Sequence, residues 1–121
     1  MKRTAVIKKN RDFTRLYRRG KSAVAPVLVV YAARNRRGQN RIGITATKKI
    51  GGAVERNRAK RLIRAAYTVL EEEIPSGWDF IFVARTRTPS CKMQDVRRAM
   101  QAGIKSLTEP AAAPRKKAEK T

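Results

Sequence analysis

The chain has no histidine, one cysteine, one tryptophan and only nine acidic residues among its 121. Each shortage removes a class of function. Without histidine there is no imidazole to shuttle protons near neutrality or to build a multi-histidine metal site. Lone Cys91 supports neither a disulfide framework nor a cysteine-cluster metal centre, and gives no reason to invoke an oxidising compartment. The acids are scattered apart from the run Glu71, Glu72 and Glu73, whose side chains fan out around a helix end, so no carboxylate pair is marked for two-metal hydrolysis. Long apolar runs are missing too. The longest, residues 23–33, spans 11 residues with Pro26 inside it, too short to cross a bilayer. It follows a charged, helix-like segment and precedes Arg-rich sequence without a small-residue cleavage pattern, so the expected location is the cytoplasm rather than a secretory route. The length suits one domain, not a multidomain enzyme.

What is present in excess is positive charge. Lys and Arg number 30, for a formal net charge of +21. Size scaling gives a folded surface of about 6,600 Å², roughly one net positive charge per 310 Å². Such a field opposes compaction and attracts polyanions at long range. The 41% hydrophobic content argues against a wholly disordered chain. Nucleic acid is the expected partner.

Periodicity places the elements. Residues 1–8 read as basic and loosely held. Asn10 offers a cap for a short helix ending at Gly20, a residue suited to the left-handed position after a helix, with Phe13, Leu16 and Tyr17 on one stripe. Val27 to Ala33 reads as a strand and residues 34–40 as a hairpin loop. Arg41 to Thr47 alternates as a half-buried strand, with Ile42, Ile44 and Ala46 on one face. A longer helix runs from about Ala53 to Glu73 and is stopped by Pro75; Asp79 to Arg85 reads as a strand covered on both faces. A last helix from about Lys92 to Leu107 carries Met93, Val96, Met100, Ile104 and Leu107 at helical spacing. The class is α+β in a single domain over residues 1–108, in the order α-β-β-β-α-β-α if a short extra strand is counted. Residues 109–121, rich in Ala, Pro and Lys, read as a disordered basic tail.

One helix separates its chemistry by face. On a wheel at 100° per residue, Ala59, Leu62, Ile63, Ala66, Val69 and Leu70 form a buried stripe. Arg56, Asn57, Lys60, Arg61 and Arg64 occupy another face, with Arg58 at the boundary. An ordinary solvated face usually interleaves acids at i,i+4, and residues 56–70 contain none. Cations near a helix N-terminus also oppose the macrodipole, so an external anion is the natural compensation. A leucine-zipper basic region fails, because Pro75 ends the helix before any heptad array begins.

The segment from Lys48 to Arg64, KKIGGAVERNRAKRLIR, resembles the signature of the protein subunit of bacterial ribonuclease P, named for its Arg-Asn-Arg run. The similarity extends upstream to Lys8, Lys9, Asn10, Arg11, Asp12, Phe13, Tyr17 and Gly20, and downstream to residues 79–85. Where the family commonly has Gly-Asn before the helix, this chain has Gly51-Gly52. The resemblance implies an α/β sandwich with a left-handed βαβ crossover. It further implies a subunit that is not catalytic alone: the RNA subunit performs Mg²⁺-dependent removal of the 5′ leader from precursor tRNA. By position, Arg56, Asn57, Arg58, Lys60, Arg61 and Arg64 would face the catalytic RNA. Phe13, Tyr17, Tyr31, Lys48 and Lys49 would line the cleft for the single-stranded leader. Mg²⁺ would be held mainly by the RNA, and the protein would be monomeric, with no membrane or small-molecule partner.

The residues themselves leave alternatives open. Phe13 and Tyr17, one turn apart among Arg11, Arg15, Arg18 and Arg19, suit either base stacking in a basic groove or ordinary core packing. Tyr31 is similarly divided, whereas Trp78 and Cys91 read as packing residues. A ribosomal or general RNA-binding protein shares the charge but predicts no leader cleft. A DNA-compacting protein predicts indifference to the 2′-hydroxyl.

Overall fold

Alternation in three strands sorts their side chains onto the two faces of one sheet. The computed structural model describes residues 2–109. Its elements are β1 (Thr4–Val6), α1 (Asn10–Arg19), β2 (Lys21–Val24), β3 (Leu28–Arg34), β4 (Asn40–Thr45), α2 (Ala53–Leu70), β5 (Trp78–Ala84) and α3 (Met93–Thr108). The strand order is β1-β4-β5-β3-β2. β4 runs parallel to both β1 and β5, while β3 is antiparallel to β5 and β2. The α+β class and the α-β-β-β-α-β-α succession hold, with one strand added in front.

On one face Leu28, Val30, Ala32, Ile42, Phe80 and Phe82 are at most 2% exposed. They pack against Ala59, Ile63, Ala66 and Leu70 of α2 and Val96, Met100 and Ile104 of α3. The other face carries a smaller cluster, in which Leu16 of α1 meets Ile7 and Ile81 with Phe13, Tyr31, Ala33 and Val83 around them. β5 is apolar on both sides because it is the central strand, with Phe80, Ile81 and Phe82 fully buried. Each such side chain contributes about 1.5–3 kcal/mol of transfer free energy.

Several local expectations are corrected. Residues 4–6 are not loose: Thr4, Ala5 and Val6 pair with Asn40, Arg41 and Ile42. Residues 34–40 do not close a hairpin, because β5 lies between β3 and β4. Lys9, not Asn10, is the N-cap of α1, and no side chain caps it. Gly20 is extended (φ −72°), not left-handed. Space explains it instead, since a Cβ there would lie 2.6 Å from the Leu16 carbonyl oxygen and 3.1 Å from that of Ala32. α2 ends at Leu70, and Glu71–Glu73 form a 3-10 turn before Pro75. Val69, placed in the buried stripe by the wheel, is 50% exposed. Tyr67 is fully buried in its stead, because β1 covers the flank of α2 on which it lies and Thr4 Oγ1 meets its hydroxyl at 2.9 Å. The expected basic tail falls outside the described residues, Glu109 excepted.

Candidate nucleic-acid interface

α2 follows a 3-10 turn at Lys48–Ile50 and starts at Gly52, whose carbonyl accepts from the Arg56 amide at 3.0 Å. Burying Ala59, Ile63, Ala66 and Leu70 fixes the roll of the helix and turns the cations outward. Asn57, Lys60, Arg61 and Arg64 line one open surface with exposed Val54. Arg58 borders a neighbouring surface with Arg61, Leu62, Cys91 and Met93, on the side toward α3. Arg56 and Lys60 are half-buried. Among the described residues, none of these five cations has a carboxylate within 4.0 Å. The face is unneutralised.

α1 lies across the strands on the opposite side of the sheet. Phe13 sits on Gly43 of β4, where an added Cβ would come within 2.5 Å of the ring, and Gly20 abuts Ala32 of β3. The helix therefore covers the row Tyr31, Ile81 and Gly43, which are in register across β3, β5 and β4. The next row, Val29, Val83 and Thr45, is only half-buried and extends at its edge to Val24, 69% exposed. Tyr17 overhangs this strip at 40% exposure. Its ring meets Tyr31 edge-on at 4.9 Å, and its hydroxyl lies 3.2 Å from Thr45 Oγ1. Exposed Lys48 and Lys49 follow the end of β4. The result is an apolar trough with an aromatic wall and a cationic end, suited to flat bases on a charged backbone. Tyr17 is the accessible ring, Tyr31 supports it, and Phe13 is partly spent on Gly43.

A buried ion network holds α1 in this position. Arg41 and Asp79 face each other in register, with Nε to Oδ1 at 2.9 Å and Nη2 to Oδ2 at 2.6 Å. Arg41 also reaches Asp12 of α1 at 3.4 Å, and Arg15 closes on Asp12 at 2.9 Å. Asn35 donates to Asp79 at 2.7 Å. Burial pushes the Asp79 carboxyl up, but the hydrogen bonds from Arg41 and Asn35 more than offset this and hold it below the usual carboxylate range. The hydrogen bond to Asp79 raises the pKa of Arg41 despite its burial. Such two-point guanidinium–carboxylate pairs are geometrically specific as well as charged.

The N-terminal strand has its own anchor. Glu71 accepts from the Lys2 amide at 3.0 Å, the Arg3 amide at 2.9 Å and the Thr4 hydroxyl at 2.6 Å. Burial raises its pKa, and the Thr4, Lys2 and Arg3 hydrogen bonds outweigh that, leaving it lowered. Burial raises the Tyr67 hydroxyl. Glu71 thus stands at a helix C-terminus, where the macrodipole disfavours an anion, because three donors from β1 and its approach satisfy it.

Comparison with known proteins decides the family. The family model for Ribonuclease P matches residues 1–108. The ribonuclease P protein component of Clostridioides difficile is 36% identical over 104 residues, covering 85% of this chain and 91% of that protein. The chain belongs to the ribonuclease P protein component family. That of Pelotomaculum thermopropionicum is 42% identical over 100 residues, covering 83% and 89% of the two chains. Among solved structures, the Staphylococcus aureus RNase P protein superposes with a TM-score of 0.74 at 35% identity, covering 83% of this chain and 92% of that one. The Thermotoga maritima protein gives 0.72 at 27% identity, covering 79% and 91%. RNA binding, tRNA processing and a place in an RNA-based endonuclease come with membership of the ribonuclease P protein component family.

Sequence reasoning missed the ion network and the trough floor. Arg41 and Asp79 each stand second in a strand whose middle is apolar, the one signal that the sequence offered for pairing. Val24, Val29, Val83 and Thr45 carry no local signal at all, since their role depends on which strands are neighbours.

Proposed function

We propose that this chain docks onto the catalytic RNA of ribonuclease P through α2 and receives the single-stranded 5′ leader of precursor tRNA in the trough beside α1. The observation that carries this reading is the face of α2, where five cations and Asn57 stand with no carboxylate within reach among the described residues. Phosphates of the RNA would supply the missing anions. In the trough, a leader base stacks on Tyr17, Tyr31 supports that ring, Phe13 closes the wall, and Lys48 and Lys49 neutralise the backbone.

Among the described residues, no three His, Cys, Asp or Glu side chains converge, so these residues offer no metal cradle of their own. Mg²⁺ for phosphodiester hydrolysis would be held mainly by the RNA, and the chain would contribute binding and orientation rather than acid–base groups. It would act as a monomer in the cytoplasm, on RNA and not on a small molecule; no described helix is long and apolar enough to cross a membrane.

The test is precursor-tRNA cleavage by the catalytic RNA at low Mg²⁺, with and without this chain. Addition is expected to lower the Mg²⁺ needed for turnover and to favour precursor over mature tRNA. Arg61→Ala with Arg64→Ala is expected to reduce the log–log salt slope of catalytic-RNA binding by about 2, near 0.9 per phosphate contact. No effect of the chain on metal requirement or substrate choice would leave only general RNA binding.

A further inference from the structure

We infer that the groove on the other flank of α1 is a second RNA-contacting surface, one that grips sugar-phosphate backbone rather than bases. This rests on the family's RNA binding and is separate from both the α2 face and the trough. α1 divides the sheet face: Phe13 sits over Gly43 in the covered middle row and Tyr17 looks toward the row of Thr45, while Asp12, Arg15 and Arg19 look toward the row of Ala33, Asp79 and Arg41. On that second side lies a groove of about 470 Å³ between α1 and the β3–β4 connection. Arg15 and Arg19 form one wall and Arg36 and Arg37 the other, while Arg34 stands at the edge with its guanidinium turned to the far face of the sheet, over Trp78.

The charge there is largely uncompensated. Arg41 is consumed by Asp79 and Asp12, and Arg15 by Asp12. Among the described residues, Arg19, Arg34, Arg36 and Arg37 have no carboxylate within 4.0 Å. All four are exposed. The connection that carries two of them is shaped rather than slack. Asn35 donates to the Gln39 carbonyl and to Asp79, and its own side-chain oxygen accepts from the Arg37 amide at 2.9 Å. Arg34 is laid over Trp78, with its guanidinium carbon 5.4 Å from the ring centroid.

The ligand class follows from what the groove lacks as well as what it holds. Planar guanidinium forks match phosphate oxygens. No aromatic side chain is among the residues that line the groove, so no free platform is offered to a base. Backbone of a base-paired segment fits such a surface; splayed single strand fits the trough. A structured RNA could then straddle α1, one part read by stacking and another held by charge.

The experiment uses the full chain and two probes: a short RNA duplex and a single-stranded leader oligonucleotide of the same length. The variant is the triple Arg19→Gln, Arg36→Gln, Arg37→Gln, with Arg87→Gln, Arg97→Gln, Arg98→Gln as a control of equal charge change. The groove variant is expected to lose at least about tenfold in duplex affinity near 100 mM salt and to flatten the log–log slope by about 2–3. Leader binding should change far less, and amide resonances of residues 15–19 and 34–39 should shift on adding duplex. Equal losses from the control triple would mean a diffuse field and overturn the site, as would equal affinity for polyglutamate of matched charge. Unchanged duplex binding would overturn it while leaving the α2 and trough assignments standing, because Arg61, Arg64 and Tyr17 are untouched.

Discussion

The two flanks of α1 are built from the same helix and the same sheet, yet they solve different problems. One presents apolar floor and a tyrosine ring, with little charge of its own before Lys48. The other presents arginines around a buried ion network. The difference teaches where positional control resides. The trough contains no strong directional bond except the Tyr17–Thr45 hydroxyl contact, so its width depends on α1 being fixed from the far side by Asp12, Arg41 and Asp79, together with the Leu16 contact. A buried pair of this kind is weak evidence for net stability, but removing one member is costly because the other is left uncompensated.

The comparison breaks most forcefully at the network. Asp79→Asn leaves buried Arg41 with only the longer Asp12 contact, at 3.4 Å, and is expected to cost about 3 kcal/mol in urea unfolding. An unchanged midpoint would show that apolar packing alone sets α1. Gly43→Ala acts from the other flank. Its Cβ would lie 2.5 Å from the Phe13 ring, so the helix or the ring must shift. The expected cost is about 1–3 kcal/mol, with leader binding weakened and duplex binding kept. If both probes lose equally, α1 moves as a rigid whole and the flanks are not separable.

Tyr17→Ala is sharper still, since the ring is 40% exposed and outside the main core. Stability should barely change, while precursor affinity drops by about 1–3 kcal/mol and mature tRNA binding stays level. Equal losses for both tRNAs would remove the ring from the leader site. The smallest expected effect is on pH dependence. Asp79 and Glu71 are both held below the ordinary carboxylate range. A lowered pKa means stability present above the unfolded value, about 4, and lost as pH falls through the folded value. Melting temperature should therefore fall below about pH 4, less steeply in Asp79→Asn; an identical acid limb in that variant would remove Asp79 as a source.

Much of this was legible in the chain. The apolar run of 79–84 marks a strand covered on both faces. The alternation of residues 41–45 suggests a half-buried strand, whereas residues 40–43 are in fact covered on both faces, because Phe13 of α1 sits on Gly43. The acid-free stretch from Arg56 to Leu70 marks a cationic face by itself. The aromatic spacing of Phe13 and Tyr17 marked a stripe but not its use, because one pattern serves both core and cleft. What misled was local reading of non-local partners: residues 34–40 resemble a hairpin loop, and Val69 resembles a core position, until neighbouring strands are known.

The sequence by itself determined the elements, the sign of the charge and the face of α2 that carries it, because periodicity and composition act over a few residues. The tertiary structure alone decided that β5 separates β3 from β4, that β1 buries Tyr67 and gives Glu71 its donors, and that Arg41 meets Asp79 across 38 residues. Those outcomes depend on which strands pair, and pairing is settled by how the whole apolar surface is best covered, which no single segment encodes.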